Sequence, residues 1–522
     1  MANSNGDLRT PLLPGGGRDS DVILDIDCER RPAGPPENPF EFLGAPPLAL
    51  PRPIPVDPFR NHTPSIAGGY EWFKVVLCLP VALARLVLFG LALAVGFLAT
   101  KLALQGWKDK QSPMPRWRSR IMWVTRISAR CILFTFGYHW IKRIGRPASR
   151  EVAPIVVANH ISYIEPIFFF YELFPTIVAS ESHDALPFVG TIIRAMQVIY
   201  VDRFSAPSRK HAVSEIKRKA SCNGFPHVLL FPEGTTTNGR SLISFQLGAF
   251  IHGFPLQPVV VRFPHVHFDQ SWGNISLMKL FFRMFTQFHN FMEVEYLPII
   301  APLEKQKNAV HFAERTGYAM ASALNVVQTS HSYGDLMLMT KALELAKDKC
   351  STSNYMVEMA WVESSFSIST SEAMELLDRF FSMHPDSNGR VKIHGFLSAF
   401  GLGLCPLFEK IFGYFDVEKE GAITFRQFLI GSAQIRKQPL FWRACETAFN
   451  NCREMNTDQI SERRLGDIIQ SILPSTSENL EHLFHILDVD NDGLVSRDDF
   501  MTCLKKNPLL IAIVAACMKH ES

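Results

Sequence analysis

His160 and Glu165 stand in the stretch Asn159-His160-Ile161-Ser162-Tyr163-Ile164-Glu165-Pro166. The apolar run 154–158 delivers His160 to a loop, and Pro166 suits the first turn of a helix, where a missing N–H costs nothing. Both side chains therefore fall within one tight loop-to-helix turn, where a carboxylate can orient an imidazole. A histidine so held is a general base for an oxygen nucleophile, because its ordinary pKa already lies near working pH. A second block, Phe231-Pro232-Glu233-Gly234-Thr235, follows another apolar run. Gly234 permits close backbone approach or a positive φ, and residues 235–237 offer hydroxyls and amides to an oxygen-rich ligand. Arg203 ends a third run, where its planar fork can pair with a phosphate. The plainer structural alternatives are a turn role for Glu233 and a surface pairing of Arg203 with Asp202 or Glu215.

The elements that would hold these blocks alternate. Short β-branched runs at 155–158, 176–179, 198–201, 228–231, 259–262 and 294–297 are separated by helical patterns near 166–174, 206–219, 243–251 and 277–290. This predicts an α/β sheet domain over 150–330, with ligand-binding loops at strand ends. The run 167–170 reads as packing. The aromatic stretch 272–291 could line an acyl channel, rest on a bilayer or form a buried helix. No Gly-x-Ser-x-Gly elbow suggests an acyl-enzyme.

Ahead of this domain, thirteen of the 34 prolines fall within the first 64 residues, so 1–70 reads as a disordered, proline-rich arm without the features of a cleavable signal. Residues 71–145 read as a membrane anchor region. The run 75–100 contains Arg85 as its only charge and is long enough to span or embed, with the arginine reaching for water at an interface. Lys101, Lys108, Lys110, Arg116, Arg118, Arg120, Arg126 and Arg130, against Asp109 alone, put the following side in the cytosol. The run 131–141 is too short to span comfortably and is expected at the same membrane face. A hydrophobic content of 47%, with 41 Phe and 20% charge, agrees with membrane contact. Net charge of +3, without a basic-aromatic cluster, argues against nucleic acid. The 10 scattered cysteines favour a reducing compartment and argue against a zinc site.

Beyond a linker at 331–370, the region 371–508 reads as all-α EF-hands. Residues 488–499 fit the twelve-residue calcium loop: Asp488, Asp490, Asp492, Ser496 and Asp499 supply side-chain oxygens, Leu494 a carbonyl, and Gly493 the sharp turn. Asp499 is shorter than the usual glutamate, which weakens calcium binding or tilts the site towards magnesium. The loop 416–427 keeps the register but ends in neutral Gln427, and 384–395 and 453–464 are degenerate. Regular spacing of the four implies two paired lobes. The apolar tail 509–522 is too short to span and is expected to pack into a lobe groove.

The His160/Glu165 and Glu233-Gly234-Thr235 blocks, in that order, resemble those of the glycerolipid acyltransferase family. The attached loops make the match closest to the plant lysophosphatidylethanolamine and animal lysophosphatidylcholine acyltransferases. The resemblance covers most of 75–520. It implies an α/β acyltransferase domain with an N-terminal membrane helix, followed by an all-α EF-hand region. It also implies acyl-CoA as co-substrate, a lysophospholipid acceptor (lysophosphatidylethanolamine foremost), no catalytic metal, and an endoplasmic-reticulum or other endomembrane location. Arg203 would bind the acceptor phosphate, and Glu233, Gly234 and Thr235 the glycerophosphate. The run 255–261 resembles the family's fourth block. Glu165 departs from the usual Asp, which keeps open a rival class: an inactive, calcium-responsive membrane adaptor on the same fold.

Overall fold

The structure, a computed structural model, describes residues 56–108, 111–273, 275–303, 308–346, 352–399, 406–454, 457–470, 480–508 and 510–511. Most of the expected N-terminal arm and most of the apolar tail lie outside them.

Seven strands form the central sheet: β1 (Lys142–Ile144), β2 (Ile155–Ala158), β3 (Thr176–Ser180), β4 (Ile199–Val201), β5 (Val228–Leu230), β6 (Leu256–Arg262) and β7 (Glu293–Tyr296). Their order is β1-β7-β6-β2-β5-β3-β4. The strands from β6 to β4 run parallel, and β6 meets β7 antiparallel, with Val260 opposite Glu295. Alternation along β2 explains its continuous apolar sequence. Val156 and Ala158 join one buried layer with Phe168, Phe169 and Leu280, whereas Ile155 and Val157 join the other with Ala212, Ile216 and Phe312. A strand covered on both faces has no polar side to show. The covering helices are α3 (Ile164–Glu172), α5 (Ala206–Ser221), α6 (Leu277–Phe285) and α7 (Ala309–Leu324), with α4 (Val189–Ala195) beside β4. The helix expected at 243–251 is only the short turn Leu247–Ala249. As expected, Phe168, Phe169 and Phe170 are core.

Helix α1 (Gly69–Leu104) pairs with α2 (Arg116–Thr135). Length and composition make α1 sufficient to cross a membrane, with a mean hydropathy of 2.4 in its most apolar window. Most of its large apolar side chains are exposed. Yet α1 also leans on the sheet domain, Phe89 against Phe136, Phe281 and Phe285, and Phe97 against Phe188. Here two expectations change. Arg85 does not reach for water: it is buried and donates to the carbonyls of Phe285 (3.0 Å), Gln287 and Phe288 (2.9 Å) at the end of α6. In the run 131–141, Leu133, Phe136, Tyr138 and Ile141 are buried in the domain core, while Phe134 and Trp140 are exposed. Within the expected arm, Phe59 and Asn61 are buried, so 56–63 is an ordered part of the domain.

Arg85 follows a wider pattern. Arg118 donates to the Ala103 and Gln105 carbonyls at the end of α1, Arg126 to Tyr171 and Glu172 at the end of α3, and Arg150 to Lys219, Ala220 and Cys222 at the end of α5. Each satisfies carbonyls that a helix leaves unpaired and places a cation at its negative end.

The C-terminal region is helical. Helices Thr370–Ser382, Ile393–Ser398, Pro406–Phe415 and Phe425–Lys437 form one pair of helix–loop–helix units, bridged by strands 390–392 and 422–424. A second pair, built on Phe441–Cys452, Glu462–Gln470, Leu480–Leu487 and Arg497–Lys506, is bridged with Ile460 opposite Val495. The expected linker is not a passive connection. Leu338, Tyr355, Val357 and Met359 belong to the same buried cluster as Phe380 and Phe425. Buried Asp335 fixes its path by accepting from the Ser332, Val357 and Met359 amides at 2.8–2.9 Å.

Candidate active site

The parallel strands open their carboxyl ends on one edge, the usual place for a ligand in such a sheet. His160 leaves β2 there, Glu233 leaves the adjacent β5, and Arg203 leaves β4. Asn159 pins the end of β2 sideways: its amide donates to the Val261 carbonyl (2.9 Å) and its oxygen accepts from the Val261 amide (2.7 Å). Sequence reasoning passed over Asn159, although a polar residue ending a buried strand was a usable signal.

Four carboxylate contacts fix the His160 turn. Glu165 Oε1 accepts from the Ile161 amide at 2.7 Å and the Ser162 amide at 3.0 Å, and its Oε2 also meets the Ser162 amide at 3.0 Å. Glu233 Oε1 accepts from the His160 amide at 2.9 Å. Both carboxyl groups are fully buried. The imidazole itself is partly exposed, stacked 4.2 Å from the Phe231 ring, with Nδ1 buried and 3.7 Å from Glu165 Oε2. That separation is an ion-pair contact for a protonated ring, longer than a hydrogen bond. The sequence anticipated Glu165 as an orienter of the ring. In the structure it first organises the backbone beneath the ring.

Burial pushes the Glu233 carboxyl up to about 8, and the negative Glu165 adds to this; the His160 amide, with smaller help from the Ile243 amide and the Thr237 hydroxyl, pulls the other way. Gly234 turns the chain at φ +73°, and its amide closes the turn on the Phe231 carbonyl at 3.0 Å. Thr235 is half-buried, while Thr237 is buried and donates its amide to the His160 carbonyl at 2.8 Å. Gly239 has φ +72°, and a Cβ there would meet the Ile161 side chain at 2.6 Å, so the two loops pack without room for a larger residue. Asn238 donates to the Asp57 and Arg60 carbonyls, tying the segment 57–63 to this loop.

Arg203 sits apart from this cluster. Three strand spacings separate β4 from β2, roughly 14 Å. Its guanidinium lies over the Tyr333 ring at 4.4 Å and, among the described residues, makes no ion pair. Glu215 is taken by Arg218 at 2.8 Å, and Asp202 accepts from the Phe204 amide. The surface pairing considered from sequence is thus absent, and the cation remains available on the sheet edge. Nor does the stretch 272–291 contribute all its cations to a channel: Arg283 is buried against Phe268 and bonded to Thr63 and His267 carbonyls.

A second acidic constellation lies in the last helix–loop–helix unit. Asp488, Asp490 and Asp492 each offer an oxygen, all within 4.8 Å of one another. Asp488 accepts from the Asp492 amide (3.2 Å) and the Gly493 amide (3.0 Å), so the loop curls around it. Asp416 is gripped in the same way by the Glu420 and Gly421 amides. Ser496 and Asp499 cap the next helix reciprocally. Desolvation, with the neighbouring Asp492 and Asp499, raises the pKa of Asp490. Mutual repulsion of this kind fits a cation site.

Residues 143–262 match the acyltransferase family. Lysophospholipid acyltransferase LPEAT2 of Arabidopsis thaliana is 63% identical over 480 residues, covering 92% of this chain and 89% of that protein. Lysophosphatidylcholine acyltransferase 2 of Mus musculus is 30% identical, covering 87% and 78%. The crystal structure of the 1-acyl-sn-glycerophosphate acyltransferase of Thermotoga maritima aligns with 48% of this chain and 96% of its own at 14% identity and a TM-score of 0.37. The chain belongs to the lysophospholipid acyltransferase family, and it is an enzyme.

Proposed function

We propose that this enzyme acylates the free hydroxyl of a lysophospholipid from acyl-CoA, with lysophosphatidylethanolamine as the principal acceptor, in phospholipid synthesis and remodelling. The observation that carries the reading is the His160 turn: a partly exposed imidazole whose backbone is held by Glu165, Glu233 and Thr237. Because Nδ1 is buried towards Glu165, Nε2 is the atom that takes the acceptor proton. The acceptor oxygen then attacks the thioester carbonyl carbon. Glu165 stabilises the imidazolium across 3.7 Å, a contact that strengthens as the ring becomes charged. Collapse of the tetrahedral intermediate expels the CoA thiolate, which recovers the proton from His160. A backbone amide or hydroxyl of the loops stabilises the oxyanion. No catalytic metal enters this scheme.

Arg203, unpaired on the same sheet edge, takes the acceptor phosphate, and Gly234 and Thr235 line its glycerol end. The ethanolamine headgroup follows from the resemblance of the sequence to the plant lysophosphatidylethanolamine acyltransferases. The exposed apolar surface of α1 anchors the enzyme in an endoplasmic-reticulum or other endomembrane, with catalytic and C-terminal regions facing the cytosol. The helix–loop–helix pairs are EF-hands, and the loop 488–499 holds Ca2+ through Asp488, Asp490, Asp492, the Leu494 carbonyl, Ser496 and Asp499. Its occupancy modulates activity. Purified enzyme with radiolabelled acyl-CoA and a panel of lysolipids tests the core claim: His160→Ala should abolish transfer, and normal turnover by that variant would overturn it.

A further inference from the structure

The family resemblance gives Glu233 to the acceptor, but its surroundings point elsewhere. The carboxyl is fully buried, one oxygen accepts from the His160 amide at 2.9 Å, and the Ile243 amide and Thr237 hydroxyl also act on it. The turn at Gly234 closes on the Phe231 carbonyl, and the Glu233 side chain lies buried against the histidine loop. A phosphate would gain nothing there: an ionised carboxylate repels it, and a buried one cannot reach it. Around His160 the contacts are instead complementary. Glu233 grips its N–H, Thr237 grips its carbonyl at 2.8 Å, and Glu165 grips the next two amides. Phe231, two residues before Glu233, supplies the face on which the imidazole stacks. The second block thus holds both the backbone and the ring of the base.

We infer that Glu233 is a positioning residue: its buried carboxyl sets where the His160 imidazole stands and makes no contact with the acceptor. The role needs an acceptor oxygen at the reach of a glutamate side chain and needs no negative charge. This rests on His160 as the general base. A small displacement of a base from its proton lowers turnover without weakening substrate binding.

Steady-state kinetics of the full-length enzyme, varying acyl-CoA and lysophospholipid separately, tests it. Glu233→Gln preserves the acceptor oxygen and should keep kcat within about threefold, with both KM values unchanged. Glu233→Asp keeps the charge but falls short of the His160 amide; it should lose about 10- to 100-fold in kcat, again at constant KM. Glu233→Ala should match it, and if that variant fails to fold the Gln-against-Asp contrast still decides. A KM for lysophospholipid raised about tenfold in Glu233→Gln, with kcat retained, would return the residue to the acceptor site and overturn the inference. So would Asp outperforming Gln, since charge would then matter more than reach. Full turnover by His160→Ala is a separate result: it removes the base itself, whatever the Glu233 variants do.

Discussion

Two groups of carboxylates organise this molecule, and they are used in opposite ways. Glu165 and Glu233 are fully buried and face inward, each accepting backbone amides of residues 160–162. Asp488, Asp490 and Asp492 also accept amides of their own loop, but the latter two are exposed and their oxygens converge within 4.8 Å on a common point. In the first group the protein answers the carboxylates itself, and the product is a rigid seat for an imidazole. In the second the oxygens converge, the arrangement proposed above to take a cation. The same residue type thus makes a scaffold where its oxygens diverge towards amides, and a proposed cation site where they converge.

The comparison can be broken at either end. The largest effect is expected at the imidazole: His160→Ala should lower kcat about 10²- to 10⁴-fold, measured by acyl transfer to lysophospholipid. At the other group, Asp488→Ala should weaken Ca2+ binding about 100-fold by calorimetry, because it removes a ligand and the hub of the loop together. Identical activity in calcium and in chelator, unchanged by Asp488→Ala, would remove calcium from the enzyme's regulation. Glu165→Gln leaves one acceptor oxygen for two amides and removes the charge facing Nδ1, so kcat should fall about 10- to 30-fold with KM unchanged. A rise in KM instead would put residue 165 in contact with substrate.

Smaller effects sharpen the contrast. Arg203→Ala should raise the KM for lysophospholipid about five- to tenfold and leave that for acyl-CoA alone. The buried Glu233 has a pH signature. Its folded pKa of about 8 lies above the 4.5 of an unfolded glutamate, so the native state binds the extra proton between those values. Its stabilising contribution is complete below about 4.5 and is lost as pH rises towards 8. Thermal unfolding across that window should show a decline in wild type that Glu233→Gln flattens. Equal slopes would mean the carboxyl is ionised and solvated in the folded enzyme.

The histidine and glutamate blocks were legible because each is local: a few adjacent residues carry both the turn and the side chains it holds. The strands were legible because β2, β5 and β6 are covered on both faces and so read as unbroken apolar runs. The edge strand β1, exposed at all three residues, gave no such signal. The partners of the arginines were not legible for a related reason. Arg118 and Arg126 count as positive charge in a linear reading, and Arg85 as a break in an apolar helix. Which helix end each one caps depends on neighbours distant in the chain. Segment 57–63 is a further case, since a proline-rich composition does not reveal that Asn238 will bond its carbonyls.

Residue types and short spacings alone marked the histidine and glutamate blocks, the alternating sheet domain and the acidic loop at 488–499, since each is written in a few consecutive positions. Tertiary structure decided what those groups touch. It turned Glu233 under His160, drew Glu165 onto the amides before it reached the ring, and seated Arg85 on the end of α6. The reason is burial: once water is excluded, each carboxyl and guanidinium must find its partner among groups that only the folded chain brings within about 3 Å.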